Sequence, residues 1–163
     1  MQRVKLDAID RRILETLRDD GRITNVALAE KVGISAPPCL RRVRALEEAG
    51  YIRGYHADLD PGLLGYEMTV FCWVGLHSQA EADLEAFEAL VAKWPLVREC
   101  HMLSGEADFA LKCVAKSWDA WQHFLTHELT PAPNVASVKT APVLRHSKSL
   151  PGVPLDAAGS VDD

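Results

Sequence analysis

The stretch from Thr24 to Gly50, TNVALAEKVGISAPPCLRRVRALEEAG, constrains the fold more than any other part of the sequence. Either Thr24 or Asn25 can accept a hydrogen bond from a free N–H at the start of a helix. Gly33 can take the left-handed conformation that ends this helix. Ser35 can begin a second helix, whose first turn tolerates the two prolines that follow. The pattern predicts two short helices separated by a tight turn, with apolar positions in the first helix at Val26, Leu28, Ala29 and Val32.

The second of these helices has an apolar side and a basic side. At about 100° per residue, Leu40, Val43 and Leu46 gather on the apolar side. The opposite side and its margins carry Pro38, Arg41, Arg42, Arg44 and Ala45. Arginines can reach phosphates or guanine edges, and small residues allow the backbone to approach a DNA groove. The pattern favours a DNA-binding helix–turn–helix over its alternative, an ordinary amphipathic helix with a solvated charged face.

The flanking segments complete a small N-terminal domain. Asp7, with Asp10 three residues later, places carboxylates at the positive end of a first helix. The run 19–21, Asp-Asp-Gly, ends this helix, which completes a three-helix unit. Residues 51–57 contain short extended runs around Gly54. Such runs are typical either of a winged appendage, in which Arg53 can touch the DNA backbone, or of a plain linker.

From position 67 the apolar period changes from that of helices to that of strands. Four segments have the composition of strands, and Ser78 and Ser117 can begin two amphipathic helices between them. The predicted fold class is therefore α+β, with an N-terminal winged helix–turn–helix followed by a βαββαβ ferredoxin-like domain. The predicted strands are 68–76, 97–103, 108–115 and 135–144. The residues expected to face inward from the two helices are Leu84, Phe87, Leu90, Val91, Trp94, Trp118, Trp121, Phe124 and Leu125.

The predicted strand 68–76 is apolar on both faces. Phe71 and Trp73 alternate with residues of a second apolar set, which consists of Val70, Cys72, Val74 and Leu76. In the predicted topology both helices cover the same face of the sheet, and no element is left to cover the other. The simplest cover is a second copy of the same sheet. The sequence therefore predicts a homodimer.

The net charge of −5 is unevenly distributed over the 163 residues. Residues 22–53 hold six Lys and Arg against three Asp and Glu, a local net charge of +3. Basic charge is thus concentrated on the predicted helix–turn–helix, as binding to double-stranded DNA requires. No apolar run approaches the ~20 residues that cross a bilayer. The polar start MQRVKLD is not typical of a signal peptide, so we expect a cytoplasmic protein with no membrane partner.

Other chemistry is only weakly indicated. His123 and His127 lie one helical turn apart and precede Glu128, which is compatible with a metal site, but no third ligand is evident. No nucleophile with a base and no phosphate-binding loop is recognisable. The sequence therefore predicts no catalysis, no cofactor and no metal. Buried reduced thiols are favoured over zinc ligands or disulfides for four cysteines that lie in apolar patterns without CxxC pairing: Cys39, Cys72, Cys100 and Cys113.

The sequence resembles the Lrp/AsnC (feast/famine) family of transcriptional regulators of bacteria and archaea. The matching segments are DAIDRRILETLRDDGRITNVALAEKVGIS at 7–35, PCLRRVRALEEAGYIRGY at 38–55 and LSGEADFAL at 103–111, in the order and spacing of the family. The resemblance covers about residues 6–149. We accordingly expect a DNA-binding domain over 1–60, a linker over 61–66, and a ligand-binding and oligomerisation domain over 67–149. The tail 150–163, rich in Pro, Gly and acidic residues, is expected to be disordered.

The resemblance implies that the first domain binds double-stranded DNA and that a strand after it leads into the second domain. Dimers of such proteins assemble further, here into an expected tetramer or octamer. An effector then shifts the oligomeric state or the geometry between subunits, which changes how the DNA-binding domains meet spaced half-sites. The predicted DNA-binding residues are Thr24, Asn25, Ser35, Pro38, Arg41, Arg42, Arg44 and Arg53.

In the family, a G-x-x-D turn lies where two dimers meet and a small effector, commonly an amino acid, binds between them. Gly105 and Asp108 match this motif. The resemblance implies an effector site at the turn, with Ser104, Gly105, Glu106 and Asp108. Ser137 and Thr140 are added to the predicted site because the last strand is expected to lie near this turn in the sheet. Two alternatives stay open. One is a metal-responsive regulator that uses His101, His123 or His127, and the other is a small ferredoxin-like enzyme with a degenerate helix–turn–helix.

Overall fold

The computed structural model describes residues 6–155, and the chain divides into two compact units. The first unit contains the chain up to Asp58 together with the segment from Lys148 onwards. The second unit spans Leu59–Ser147. Each unit has its own hydrophobic core.

Within residues 6–155, the first unit contains three helices: α1 (Ala8–Asp19), α2 (Asn25–Val32) and α3 (Ala36–Glu48). As predicted, Asp7 begins α1, and its carboxylate accepts a hydrogen bond from the Asp10 N–H while the Asp10 carboxylate accepts one from the Asp7 N–H. This reciprocal capping satisfies two N–H groups that a helix start otherwise leaves unbonded. The core between the helices consists of Ile13, Leu28, Ala29, Val32, Cys39 and Leu46.

The turn between α2 and α3 has the predicted form. Thr24 caps α2 by accepting a hydrogen bond from the Ala27 N–H at 3.2 Å. Gly33 ends α2 with φ of +79°, a left-handed conformation that glycine adopts without steric cost. The N–H of Ile34 then returns to the carbonyl of Ala29 at 3.0 Å, which closes the turn.

Three details of the helix–turn–helix differ from the sequence prediction. Val26, expected among the apolar positions of α2, is 68% exposed. Leu40, expected on the apolar side of α3, is 39% exposed, and Cys39 takes the buried position instead. The apolar side of α3 is therefore rotated slightly from the one that Leu40, Val43 and Leu46 define. Ser35 precedes α3 as predicted, but its side chain makes no capping hydrogen bond.

The segment after α3 forms no regular strand. Gly50 adopts φ of +78°, and residues 52–60 then have neither helical nor strand structure. The strand that the resemblance implies after the first domain is thus absent from the single chain. The physical reason is that an extended segment becomes a strand only when a neighbouring strand takes its backbone hydrogen bonds, and among the described residues no strand lies in the first unit.

The second unit has the predicted βαββαβ order. The elements are β1 (Met68–Leu76), α4 (Glu81–Val91), β2 (Val97–Met102), β3 (Phe109–Ala115), α5 (Trp118–Phe124) and β4 (Val135–Pro142). The strands form one antiparallel sheet in the order β2-β3-β1-β4. A π-helical turn (Leu125–Leu129) continues α5. The fold is α+β and ferredoxin-like, as the sequence predicts.

The two helices pack on one face of this sheet around an aromatic cluster. Phe87 of α4 lies 4.8 Å from Phe109 of β3, and Trp94 meets Phe124 edge-to-face at 5.3 Å, both measured between ring centroids. Trp121 is almost completely buried in the same core. Such rings bury much apolar area and fix their neighbours by shape.

Two predictions about these helices are wrong in detail. Trp118, expected to face inward, is 56% exposed. Ser78 does not cap α4 directly, because Ala80 is the residue that precedes the first helical turn. The Ser78 hydroxyl donates instead to the Asp83 carboxylate at 2.5 Å and accepts from the Ala80 N–H at 3.3 Å. Ser117 does cap α5, by accepting a hydrogen bond from the Ala120 N–H.

The other face of the sheet carries the two aromatic side chains that the sequence places there. Phe71 and Trp73 are 40% and 39% exposed, whereas the intervening Cys72 is completely buried on the helical side. Ala110, opposite Trp73 on β3, and Ala141, opposite Phe71 on β4, share this face, since directly opposed residues point to the same side. Within residues 6–155, no helix packs on this bare face.

The described part of the C-terminal tail, residues 148–155, has no helix or strand. Its predicted disorder stays a prediction, and positions 156–163 lie outside the described residues. Cys39, Cys72 and Cys113 are buried and Cys100 is partly buried. Among residues 6–155, no helix has the length and apolar character that crossing a membrane requires.

Candidate functional site

The outer side of α3 presents two arginines to solvent. Arg41 and Arg44 are exposed and lie three residues apart, which places them on the same side of the helix. The exposed Leu40 and Ala45 lie beside them, and Pro38 is half-buried at the margin. This surface is basic at its centre and has small or apolar neighbours, so it can enter a groove and reach phosphates or base edges.

Arg42 is held differently from the arginines on either side of it. Its Nη1 donates to Oδ2 of Asp7 at 2.8 Å and to Oδ1 of Asp10 at 2.7 Å. These carboxylates hold the pKa of Arg42 above its ordinary value, with the hydrogen bond to Asp10 as the larger cause. Arg42 therefore lies against the start of α1. Its predicted contact with DNA is untested.

A hydrogen bond from the side-chain amide of Asn25 connects the starts of α2 and α3. Asn25 donates from Nδ2 to the carbonyl of Ala36 at 2.9 Å, and its Oδ1 is buried without a hydrogen-bond partner. In this arrangement the Asn25 side chain holds the two helix starts together. Thr24 and Ser35, the residues that immediately precede the two helices, are exposed near this join.

The segment after α3 adds a further exposed arginine, Arg53, to the first unit. The segment is fixed by Tyr55, whose hydroxyl donates to the Glu47 carboxylate at 2.9 Å. Burial and this hydrogen bond raise the pKa of Tyr55 to about 12. A groove of about 570 Å³ lies between this segment and α1, lined in part by Leu14, Leu17, Tyr51, Ile52, Arg53 and Tyr55.

The predicted effector turn joins β2 to β3 and is exposed from Ser104 to Glu106. Gly105 has φ of +157°, which L side chains rarely adopt, and apart from its chain neighbours no atom of the described residues lies within 4 Å of the position that a Cβ would take. Space above the turn is therefore open. A substitution there strains the backbone without causing a collision.

Asp108 connects the predicted effector turn to the neighbouring strand β1 by hydrogen bonds. Its Oδ2 accepts a hydrogen bond from the Leu76 N–H at 2.6 Å, and its own N–H donates to the carbonyl of Val74. Leu76 lies where the pairing of β1 with β4 shifts register between Gly75 and Leu76. Asp108 thus orders the end of β1. A carboxylate has several acceptor positions, so this bond leaves capacity for a further donor.

The two β4 residues predicted for the effector site lie on opposite faces of the sheet. Ser137 is paired with Gly75 and lies on the bare face, close enough that a Cβ on Gly75 would be 2.7 Å from the Ser137 hydroxyl. Thr140 is paired with the inward-facing Cys72 and therefore belongs to the helical side. The structure does not bring these two side chains together.

Lys139 is a candidate effector contact that the sequence prediction missed. Its Nζ lies 4.0 Å from Oε2 of Glu106, and it is opposite Trp73, which places it on the bare face with Ser137. The alternation of strands was the signal that could have found it, because residues two apart share a face while Ser137 and Thr140, three apart, do not.

The histidines of the metal alternative form a stacked pair. The rings of His123 and His127 are 4.4 Å apart at 20° to each other, and Nδ1 of His127 is 3.1 Å from the carbonyl of His123. His101 lies on β2, where Nε2 is 3.4 Å from a Glu99 carboxylate oxygen. Across residues 6–155, no three His, Cys, Asp or Glu side chains are grouped in a way that could hold a metal ion.

Both units match known protein families. Residues 6–53 match the winged helix-turn-helix DNA-binding family, and residues 69–153 match the Lrp/AsnC ligand binding domain. The chain is 60% identical over 146 residues to a leucine-responsive regulatory protein of Rhizobium meliloti, a match that covers 90% of this chain and 94% of the relative. It is 46% identical over 141 residues to the Bkd operon transcriptional regulator of Pseudomonas aeruginosa, covering 86% and 92%.

Solved structures show the same architecture. The L-Met complex of a transcriptional regulator from Neisseria meningitidis superimposes with a TM-score of 0.89 and 37% identity, covering 93% of this chain and 98% of that chain. An AsnC family transcriptional regulator from Agrobacterium tumefaciens gives a TM-score of 0.86 and 32% identity, covering 92% and 97%. The relatives named here are transcriptional regulators. The chain therefore belongs to the Lrp/AsnC family and is a transcriptional regulator with a DNA-binding domain and a ligand-binding domain.

Proposed function

We propose that this regulator binds DNA through the outer side of α3 and responds to an amino acid bound at the turn 104–108 of an oligomer. The observation that carries the DNA-binding part is the pair of exposed arginines, Arg41 and Arg44, beside a closed helix–turn–helix corner. Thr24, Ser35 and Pro38 flank this pair, and Arg53 supplies a further exposed cation. Arginine side chains at such a site either pair with guanine or neutralise phosphates.

We further propose that two copies associate through the bare face of the sheet. Phe71 and Trp73 form its aromatic centre, and charged side chains occupy its margin, including a Lys112–Glu99 ion pair at 2.7 Å. An apolar centre within a polar margin is the usual anatomy of a protein interface. Dimers are proposed to assemble further into tetramers or octamers, which would increase DNA affinity by multivalency.

The effector is proposed to be an amino acid. The Gly105 N–H and the Lys139 ammonium offer partners for its carboxylate, while Glu106 and Asp108 offer partners for its ammonium. Met102 and Leu103, next to the turn, are 61% and 41% exposed and can contact an apolar side chain. Support also comes from the relatives, one of which is named as leucine-responsive and another of which was solved with L-Met.

Two measurements test these proposals separately. Thermal-shift measurements of the full chain against each of the twenty amino acids should show stabilisation by apolar amino acids, because a ligand stabilises the state that it binds. Selection of duplexes from a random-sequence pool tests DNA binding without any effector. If no duplex is enriched, the DNA-binding proposal fails. If no amino acid raises the melting temperature, the proposal of an amino-acid effector fails.

A further inference from the structure

Arg42, Asp7 and Asp10 form a closed hydrogen-bonded network between α3 and the start of α1. Oδ1 of Asp7 accepts from the Asp10 N–H and Oδ2 of Asp10 accepts from the Asp7 N–H. The remaining oxygen of each carboxylate accepts from Nη1 of Arg42. Every carboxylate oxygen therefore has a donor, and the two side chains that cap α1 are also the ones that hold α3.

The direction of Arg42 separates it from the exposed arginines of the same helix. Arg42 precedes Arg44 by two residues, so the two side chains leave the helix about 160° apart. The Arg42 side chain is 34% exposed, and the Asp10 side chain that it contacts is 14% exposed. Its guanidinium is committed to the inner, α1 side of α3, while Arg41 and Arg44 occupy the outer side.

The network is more than an ordinary surface ion pair. Isolated exposed pairs contribute little, because solvent and salt screen them. Here one guanidinium bonds two carboxylates that are already fixed by backbone N–H groups, so little side-chain freedom remains to be lost. A helix whose mid-point is bonded to the capped end of another helix has a restricted rotation about its own axis.

We propose that Arg42 is a positioning residue for DNA binding, which fixes the rotation of α3 on α1 and thereby the direction of Arg41 and Arg44, without contacting DNA itself. This inference rests on the proposed use of α3 as the DNA-binding helix. It predicts that Asp10, an acidic residue, supports binding to an acidic polymer. Simple electrostatics predicts the opposite, that removal of a negative charge strengthens binding.

The test measures the affinity of full-length variants for a duplex that the wild-type protein selects from a random-sequence pool, over a series of salt concentrations. The variants are Arg42→Ala, Arg42→Lys, Asp10→Asn and the double variant Arg42→Ala/Asp10→Asn. Glu15→Gln serves as the matched control for loss of one negative charge on α1, and Arg41→Ala as the variant of a proposed contact. Circular dichroism sets a temperature at which each variant is folded.

The expected result is that Arg42→Ala and Asp10→Asn each weaken binding by about tenfold, as members of one network do. The double variant should bind the duplex no more weakly than the weaker-binding of the two single variants. Arg42→Lys should bind more tightly than Arg42→Ala but less tightly than the wild type. The slope of log K against log salt should be the same for Arg42→Ala and Asp10→Asn, because both substitutions act only through the direction of Arg41 and Arg44. Glu15→Gln should bind as the wild type or more tightly.

Two results overturn the proposal. If Arg42→Ala lowers the salt slope by about 0.9 per bound subunit while Asp10→Asn binds at least as well as the wild type, Arg42 contacts phosphate directly. If melting temperatures fall but affinities do not, the network only stabilises the fold. If Arg42→Ala does not fold, the duplex affinities and salt slopes of Arg42→Lys and Asp10→Asn decide between these possibilities. An Arg41→Ala variant with unchanged affinity and salt slope would instead count against α3 as the DNA-binding helix.

Discussion

The two units of the molecule hold their functional surfaces in place by different means. In the first unit, side-chain hydrogen bonds at helix ends connect the helices: Asn25 joins α2 to α3, and Arg42 joins α3 to α1. In the second unit, strand pairing and a buried aromatic cluster fix the sheet, and the candidate effector turn extends from its edge. From this difference we predict that DNA binding is sensitive to polar side chains away from the proposed contact surface, whereas the proposed oligomerisation and sensing depend on the exposed residues themselves.

The largest effect is expected on the bare face of the second unit. Trp73→Glu should weaken dimer association by at least about a hundredfold, because burying an unpaired carboxylate costs several kcal/mol. Sedimentation velocity should show a monomer at concentrations where the wild type is a dimer. Ala86→Glu, which adds the same charge to the exposed side of α4, is the control and should sediment as the wild type.

Equal sedimentation of the Trp73→Glu and wild-type chains would contradict the proposed dimer surface. Association of the second unit would then depend on residues other than its exposed aromatic pair.

A smaller loss is expected from the outer side of α3 in the first unit. Arg41→Ala should cost about 1–3 kcal/mol of DNA-binding free energy if Arg41 pairs with a base. If it meets phosphate, the salt slope should fall by about one unit instead. Electrophoretic mobility shifts with a selected duplex, at several salt concentrations, measure both the binding free energy and the salt slope. Arg98→Ala, which removes an exposed arginine from β2 of the second unit, should change neither.

The fold was largely predictable because its signals are local. Asp7 with Asp10 predicted the start of α1, Gly33 predicted the left-handed end of α2, and the run 68–76 predicted β1 with its correct bounds. Each of these depends on residues within a few positions of one another, so the chain shows them directly. The change of apolar period at position 67 then gave the order of the two units.

The sites were less predictable because they depend on contacts distant in sequence. Arg42 meets carboxylates 32 and 35 positions away, and no periodicity of α3 contains that information. That Ser137 and Thr140 lie on opposite faces follows from strand alternation, but only the pairing with β1 shows which of the two lies on the bare face. Leu40 is exposed and Cys39 is buried because α3 is rotated slightly from the orientation that its own sequence predicts. The helices packed against α3 determine this rotation. The residues assigned to DNA and effector binding stay predictions.

An effect confined to sensing is expected from the turn of the second unit. Asp108→Asn keeps the shape and an acceptor for the Leu76 N–H but removes the charge that would pair with an amino acid's ammonium. It should weaken effector binding by about tenfold, the worth of one charge-assisted hydrogen bond, and leave DNA binding without effector unchanged. Calorimetry with the amino acid found by thermal shift is the measurement. Full affinity in this variant would show that Asp108 acts only on the end of β1.

Gly105→Ala sharpens the same test, because it strains the turn without removing a charge. Apart from the chain neighbours of Gly105, no atom of the described residues lies within 4 Å of the new Cβ, so the cost comes from the backbone conformation alone, about 1 kcal/mol. Effector affinity should fall while the oligomeric state in the absence of effector is kept. A matched Gly21→Ala substitution, at a position without positive φ, should leave effector affinity unchanged. Equal effector affinity in the Gly105→Ala and wild-type chains would place the ligand away from this turn.

The smallest effect concerns pH and the network that joins α1 to α3. The pKa of Asp7 lies below its ordinary value of 3.8, first because its carboxylate accepts the Asp10 N–H and further because it bonds Arg42. A carboxyl group whose pKa is lowered by folding stabilises the folded chain above its unfolded pKa, and this contribution is lost as pH falls through the folded value. The free energy of unfolding should therefore decrease below about pH 4, and less steeply in Asp7→Asn. In Arg42→Ala, NMR titration should find the pKa of Asp7 raised only part of the way to 3.8, since the backbone hydrogen bond stays. An unchanged pKa of Asp7 in that variant would mean that Arg42 does not hold the start of α1 in solution, and the first unit would lose the polar connection that distinguishes it from the second.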